Sequence, residues 1–428
     1  MVTMITVPRT GYSSHLHEGS LLPAAFAPPP MLDVIKFTQA ALAASIARTS
    51  TLISAPQEML DQMSLIAALD VELMVDDEPL FTVLPAFGML GDTGRSGFPG
   101  RIGAGITDIV MNHLGYTWRD NAECLSAYHD AHPDFIYDSG KAEGLGVVVA
   151  EAHGAFSKSV DASYVTRQGI KKYNRQIKDF VGTDCRHGAI LHGYSVAFGS
   201  NPKEQGAFLH IAESDYQKSQ PNGPGSWGGS RGPSAESPQG PPTSLVLSSH
   251  RSNFSLMGAS RVAGWIDYLT SDREVVPDTR PVDFLTIAYD GMSMVIFPFP
   301  YLDEFGYPFW WEHVLGETMK RRQLMYSASL RAKGQANAWF AMEERAVVKF
   351  LNFLSDSINS RRASLPPTLQ MPSFTPVGLI SDEGAEKEGE RRRYNYALYR
   401  DGLALLIRRP KEITGLFRWN PKDGVTKR

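Results

Sequence analysis

Three residues within one short stretch could carry chemistry together. Residues 133–156 read PDFIYDSGKAEGLGVVVAEAHGAF, with Asp134 opening one apolar run and Glu151 and His153 near the end of a second. Alternate residues of a strand share a face, so Glu151 and His153 point the same way. The second run is apolar almost throughout, the pattern of a strand buried on both faces. A glutamate in such a strand is costly unless it is ionically paired or binds a metal. With a turn near 139–144, Asp134 returns to the level of Glu151 and two carboxylates meet at one edge of the sheet. That pairing suits a hard divalent cation, Mg²⁺ or Mn²⁺, which takes oxygen ligands and keeps several waters. Such an ion polarises a phosphodiester and generates hydroxide at neutral pH. The competing reading is structural. Asp134 and Asp138 would then be ordinary strand-end residues, and Glu151 would pair with Lys171 or Arg175.

The elements around this hairpin are expected to position it. Ile102, Ile106, Ile109, Val110 and Leu114 form one apolar helical stripe before it, and Gly115 is a natural stop. After it, residues 163–181 form a second helix with Ile170, Tyr173, Ile177 and Val181 on one face. Arg167, Lys171, Arg175 and Lys178 run beside that face, and are the candidates for contact with a nucleic-acid backbone. Strands follow at 189–199 and 207–214. The order helix, hairpin, helix, strand, strand implies an α/β core with a mixed sheet.

On these residues the chain resembles the PD-(D/E)XK nuclease superfamily. Pro133-Asp134 matches the first element of its motif. Glu151-Ala152-His153 matches the second, with His153 where the family has lysine. The helix that follows carries Gln168, Tyr173 and Gln176. The resemblance covers roughly residues 100–215, and its motifs are short. It implies a restriction-endonuclease-like mixed sheet flanked by helices and a metal-dependent nuclease acting on nucleic acid, with an analogy to prokaryotic defence or DNA processing. It also implies catalytic roles for Asp134, Glu151 and His153, with Mg²⁺ or Mn²⁺ on Asp134 and Glu151, helped by the Ala152 carbonyl. In that family the lysine positions or activates the attacking water. Here histidine could substitute as base, cation or ligand. A lysine could come from Lys158 or Lys171. Without one, the chain would be an inactive scaffold that binds nucleic acid or a protein partner.

Composition narrows the alternatives. The 428 residues are 43% hydrophobic and 21% charged, ordinary for a globular protein. A net charge of −4 excludes a nucleic-acid coat protein acting through bulk charge, so polyanion binding must come from a local patch. Two cysteines, Cys124 and Cys185, exclude a disulfide framework and a four-cysteine zinc module. Cys185-Arg186-His187 could hold zinc with a third ligand among His129, His132, His153 and His192, but His-Glu-x-x-His is absent. Gly100 and Gly105 have phosphate-loop spacing, yet Ile106 replaces the lysine, so 91–105 is expected to be a mobile glycine-rich loop. No apolar run is long enough to span a membrane, and no secretory signal is visible; the expected location is cytoplasmic.

Four regions are expected. Residues 1–90 would be a helical segment with a disordered lead-in to about residue 30 and helical periodicity over 31–75. Residues 91–216 would be the α/β core. Residues 217–243 are a linker, because 17 of its 27 residues are Gly, Pro or Ser. Residues 244–428 would be a separate C-terminal α+β domain. That domain has a helical start, hairpins turning at Asp290-Gly291 and Asp401-Gly402, helices near 311–331 and 336–358, and a charged loop, DEGAEKEGERRR. Its aromatic stretch FPFPYLDEFGYPFWWEHV fits core packing or a partner surface. The domain would bind substrate, form a homo-oligomer or hold a protein partner.

Overall fold

The computed structural model describes residues 4–17, 28–50, 67, 70–126, 131–139, 146–203, 206–216, 240–270, 276–297, 339–360, 365–379, 396–406 and 413–427. The turn expected near 139–144, most of the linker, the helix at 311–331, the charged loop and most of the aromatic stretch lie outside these residues.

The first sheet is mixed. Its strands are β1 (Ile5–His17), β2 (Val34–Phe37), β3 (Arg119–Asn121), β4 (Phe135–Asp138), β5 (Gly146–Phe156), β6 (Asp184–Cys185), β7 (Gly188–Asn201) and β8 (Gly206–Tyr216). They run in the order β2-β1-β8-β7-β5-β4-β3, with β6 paired to β7. The pairs β5–β7 and β1–β8 are parallel and the rest antiparallel. The helices of this half include α1 (Gln39–Thr49), α2 (Asp92–His113) and α3 (Ala162–Lys172). The chain runs α2, β3, β4, β5, α3, β6, β7, so α3 lies in the crossover that the parallel pair β5–β7 requires. Helices α2 and α3 cover opposite faces, α2 lying on the backbone of β5 and α3 on β7 and β8.

The second sheet is wholly antiparallel. It comprises β9 (Val282–Tyr289), β10 (Met292–Ile296), β11 (Trp339–Glu343), β12 (Tyr396–Leu398), β13 (Leu403–Leu406), β14 (Ile413–Asn420) and β15 (Gly424–Lys427), ordered β12-β13-β11-β10-β9-β14-β15. Helices α4 (Thr243–Leu256), α5 (Ser260–Thr270) and α6 (Glu344–Asn359) accompany it. Both Asp-Gly turns occur as expected: Asp290 and Gly291 have φ of 51° and 80°, and Gly402 has φ of 87°. The first has positive φ at both central residues, the turn that matches strand twist; in the second only the glycine is left-handed, closing a turn in which the Gly402 nitrogen donates to the Tyr399 carbonyl.

Three expectations are corrected. Residues 5–17 and 34–37, expected to be lead-in and helix, are strands that extend the first sheet. β1 pairs with β8 some two hundred residues away, a partnership that no local periodicity announces. The glycine-rich segment 91–105 is not a loop but the first half of α2. Its glycines permit close approach: a Cβ on Gly103 would lie 2.6 Å from the Gly154 nitrogen, and one on Gly105 would lie 2.8 Å from the Ile46 side chain. Finally, 339–343 is strand rather than helix, and α6 begins at Glu344, where the Glu343 carboxylate accepts from the Arg345 and Ala346 nitrogens.

The two sheets share no strand pairing among the described residues, yet buried side chains join them. Arg48 on α1 donates from Nε to Asp108 of α2 at 3.0 Å and from Nη1 to both oxygens of Asp401, in the β12–β13 turn, at 3.0 and 3.1 Å. Asp401 also accepts from Asn253 (2.9 Å) and Ser249 (3.2 Å) of α4 and from the Leu403 nitrogen. The Arg48 guanidinium stacks on the Tyr399 ring at 4.2 Å. Beside this hub, the fully buried His250 stacks on Trp118 and on Phe350 of α6, with centroids 5.2 and 3.9 Å away.

Candidate functional site

The register of the opening hairpin sets the site. Phe135 faces Ala150 across β4 and β5, which puts Asp134 level with Glu151. The Asp134 nitrogen donates to the Ala150 carbonyl at 3.1 Å, and the Asp134 carboxylate accepts from the Ala152 nitrogen at 2.9 Å. These two bonds fix an exposed aspartate against the strand that carries Glu151. The Asp134 carboxylate lies near enough to Glu151 to raise its pKa. Gly146 through Glu151 are buried, as the apolar run implied.

Helix α3 brings the counter-ion. It starts at Asp161, whose carboxylate caps the Tyr164 nitrogen, and ends in a single π-turn over Tyr173–Ile177, where the Lys178 nitrogen donates to the Tyr173 carbonyl. Such turns recur at functional sites because they re-aim side chains without ending the helix. Tyr173 anchors the turn. Its hydroxyl lies 2.7 Å from His17 Nε2 and 2.6 Å from Ser214 Oγ, and its ring stacks on His15 at 4.2 Å. Lys172 and Gln176, on either side of that anchor, reach Glu151. Lys172 Nζ donates to Glu151 Oε1 at 2.7 Å, and Gln176 Nε2 donates to Oε2 at 2.9 Å. Lys172 also donates to Gln176 Oε1, while Gln176 donates to the His132 carbonyl. One strand end, one helix and one loop are thereby tied at a single carboxyl group.

Electrostatics follow the burial. Glu151 is 1% exposed. Desolvation, then the Asp134 carboxylate beside it, push its pKa up to about 9 against the pull of Lys172. Desolvation, reinforced by the nearby Lys172 ammonium, holds His153 down to about 4, so it is a neutral imidazole at physiological pH. His153 Nε2 is buried with no hydrogen-bond partner among the described residues. The same is true of Ser195 Oγ, and Ser195 lies beside Glu151 in the β5–β7 register. Two adjacent carboxyls therefore share one face of β5 with two polar atoms that have no partner among the described residues.

The structure brings Asp134 and Glu151 together and sets His153 on the same face of β5. Arg167, Lys171, Arg175 and Lys178 are exposed on α3 and the turn after it. The expectation that Lys171 or Arg175 would be the partner of Glu151 is corrected to Lys172. Its signal was the inward stripe Val165, Gly169, Lys172, Gln176, at spacings of four, three and four. Asp138 is a strand-end residue whose carboxylate accepts from the Thr117 and Trp118 nitrogens at 2.7 and 2.8 Å. His187, the other half of the Cys185-Arg186-His187 motif, contacts Ser244 Oγ at 2.9 Å and Asp120 at 3.1 Å. Among the described residues, no group of three or more His, Cys, Asp or Glu is arranged to hold a metal ion, and no helix is long and apolar enough to cross a membrane.

Set against protein-family models, curated proteins and solved structures, the chain has no match.

Proposed function

We propose that this protein is a divalent-metal-dependent nuclease with a restriction-endonuclease-like core. The observation that carries this reading is the meeting of Asp134 and Glu151 where β4 begins its pairing with β5, with the Lys172 ammonium delivered by the crossover helix. The path α2-β3-β4-β5-α3-β6-β7, antiparallel from β3 to β5 and parallel between β5 and β7, is compatible with the mixed sheet flanked by helices that the resemblance implies. Asp134 and Glu151 would hold Mg²⁺ or Mn²⁺, which would supply Lewis-acid polarisation of a phosphodiester and an acidified water. Lys172 takes over, from the helix, the cationic role that the sequence lacks at His153. Its ammonium stands at the carboxyl pair, where it can contact a phosphate oxygen. His153, neutral and with a free Nε2, can accept a proton or orient a water. Arg167, Lys171, Arg175 and Lys178 give α3 an exposed cationic side for the sugar–phosphate backbone.

A second reading has an observation of its own. Both Glu151 oxygens already have protein donors, Lys172 and Gln176. A sealed carboxyl of this kind also suits an inactive nuclease-fold scaffold that binds nucleic acid or a protein partner. The test is cleavage of DNA and RNA with Mg²⁺ or Mn²⁺ by wild type and by Glu151→Ala. Metal-dependent cleavage lost in Glu151→Ala supports the enzyme. Cleavage that survives the substitution removes the hairpin from the mechanism. Nucleic-acid binding without cleavage by wild type selects the scaffold.

A further inference from the structure

We propose that Lys172 is an exchangeable internal cation, so that the metal ion and a nucleic-acid phosphate bind this site cooperatively. The proposal rests on the metal-site reading above and concerns how that site is regulated. Glu151 Oε1 is occupied by Lys172 Nζ at 2.7 Å and Oε2 by Gln176 at 2.9 Å, so a cation reaches Glu151 only by displacing one of them. The ammonium is the one to move. Lys172 side-chain exposure is 30% while Glu151 has 1%, so the lysine has a path to solvent and the glutamate has none. The ammonium is a point charge on a four-carbon stem, free to choose between anions. Gln176 keeps its bond to the His132 carbonyl when the ammonium leaves.

A phosphodiester arriving on the cationic side of α3 offers Lys172 a second anion. Lys172 that turns to the phosphate uncovers Glu151 beside Asp134, and a cation can then take its place. The exchange works equally in reverse. A cation on the carboxyl pair repels the ammonium toward the phosphate. Linkage makes the two affinities rise by the same factor. Ser195 Oγ and His153 Nε2, unpartnered on the same face, are available to groups that enter as the ammonium leaves.

The experiment measures Mn²⁺ binding to the full chain by loss of the free-ion electron paramagnetic resonance signal. It is run without nucleic acid, with a phosphorothioate DNA oligonucleotide, and in a third arm with a 2′-O-methyl phosphorothioate RNA. Wild type should bind Mn²⁺ at least about tenfold more tightly with one of these polyanions than alone, and the arm that responds names the substrate. Lys172→Met and Lys172→Gln should bind Mn²⁺ alone about as tightly as wild type binds it with oligonucleotide, with no further gain. Two results overturn the exchange: equal Mn²⁺ affinity of wild type in all three arms, or Mn²⁺ affinity in both Lys172 variants no higher than in unliganded wild type. A different result overturns the underlying site: Glu151→Gln binding Mn²⁺ as wild type does, or wild type binding none in any arm.

Discussion

Two buried ionic sites in this protein, one built on an arginine and one on a lysine, serve opposite purposes. At the hub between the sheets, Arg48 is 1% exposed and Asp108 and Asp401 are fully buried. At the candidate site Glu151 is equally buried, but its partner Lys172 is 30% exposed. Arginine offers a rigid fork of donors, and here the fork is divided between acids from two different elements, with a tyrosine ring beneath it. Lysine offers one mobile ammonium. The hub has no group that can leave without stranding a charge in the interior, whereas the site has one that can. Burial of an acid therefore does not by itself mark function. The mobility of its counter-ion separates a fastener from a site.

The sharpest test of the fastener is its removal. Asp401→Ala leaves Arg48 buried with Asp108 alone and deprives Ser249 and Asn253 of their acceptor. The expected loss is about 3–5 kcal/mol of unfolding free energy, as for other broken buried ion pairs. Urea denaturation followed by tryptophan fluorescence and by circular dichroism measures it. Both signals should shift together, because the hub ties both sheets. Two separate transitions would show that the sheets unfold independently and that the hub is not a fastener.

Acid should weaken the same region. Burial holds His250 down to about 4, despite the opposing pull of Asp401. The unfolded chain, with histidine near its ordinary value, binds more protons over that interval. His250 therefore contributes its full stabilisation above about pH 6.5 and loses it as pH falls toward 4, by about 3 kcal/mol in all. His250→Phe keeps the stacking on Trp118 and Phe350 and should flatten the decline of stability between pH 7 and 4.5 by one proton. An unchanged slope would place the acid sensitivity elsewhere, away from the hub.

Much of the site's frame was legible in the sequence. The two apolar runs gave the hairpin, and a turn placed near 139–144 set Asp134 level with Glu151. The Asp-Gly pairs gave two turns of the second sheet. What was not legible has physical causes. The β1 stretch TGYSSHLH has no strong apolar alternation, and its partner β8 is distant in the chain. In α2, close backbone packing overrode the poor helix propensity of glycine. The lysine was misassigned because two of the four inward positions, Lys172 and Gln176, are polar and so do not stand out in the sequence as part of a buried stripe. A test follows for α2. A Cβ on Gly103 would lie 2.7 Å from the His153 carbonyl carbon, so Gly103→Ala must push α2 off β5. The expected cost is about 1–3 kcal/mol, read as a lower midpoint in thermal denaturation. Gly100→Ala, where a Cβ meets nothing within 4 Å, serves as the control and should not destabilise.

The smallest expected stability change decides the comparison. Lys172→Met removes an ion pair of nearly the same length as the Arg48 pair, yet it should change unfolding free energy by no more than about 1 kcal/mol. Three features of the site account for this. The ammonium already reaches solvent, so little of its charge is stabilised by the protein alone. Glu151, its pKa raised by burial and by the neighbouring Asp134, can take up a proton when the ammonium is gone and so need not remain a bare buried charge. Gln176 still donates to Oε2, and the methionine stem keeps the apolar part of the contact. Metal-dependent cleavage by the same variant should fall by about 10²–10³-fold, the loss typical of one removed transition-state donor. Urea denaturation and a cleavage assay on one preparation measure both effects. A stability loss as large as that of Asp401→Ala would make Lys172 a second fastener and remove the distinction between the two pairs. A small stability loss with unchanged cleavage would keep the ammonium mobile but take it out of the chemistry.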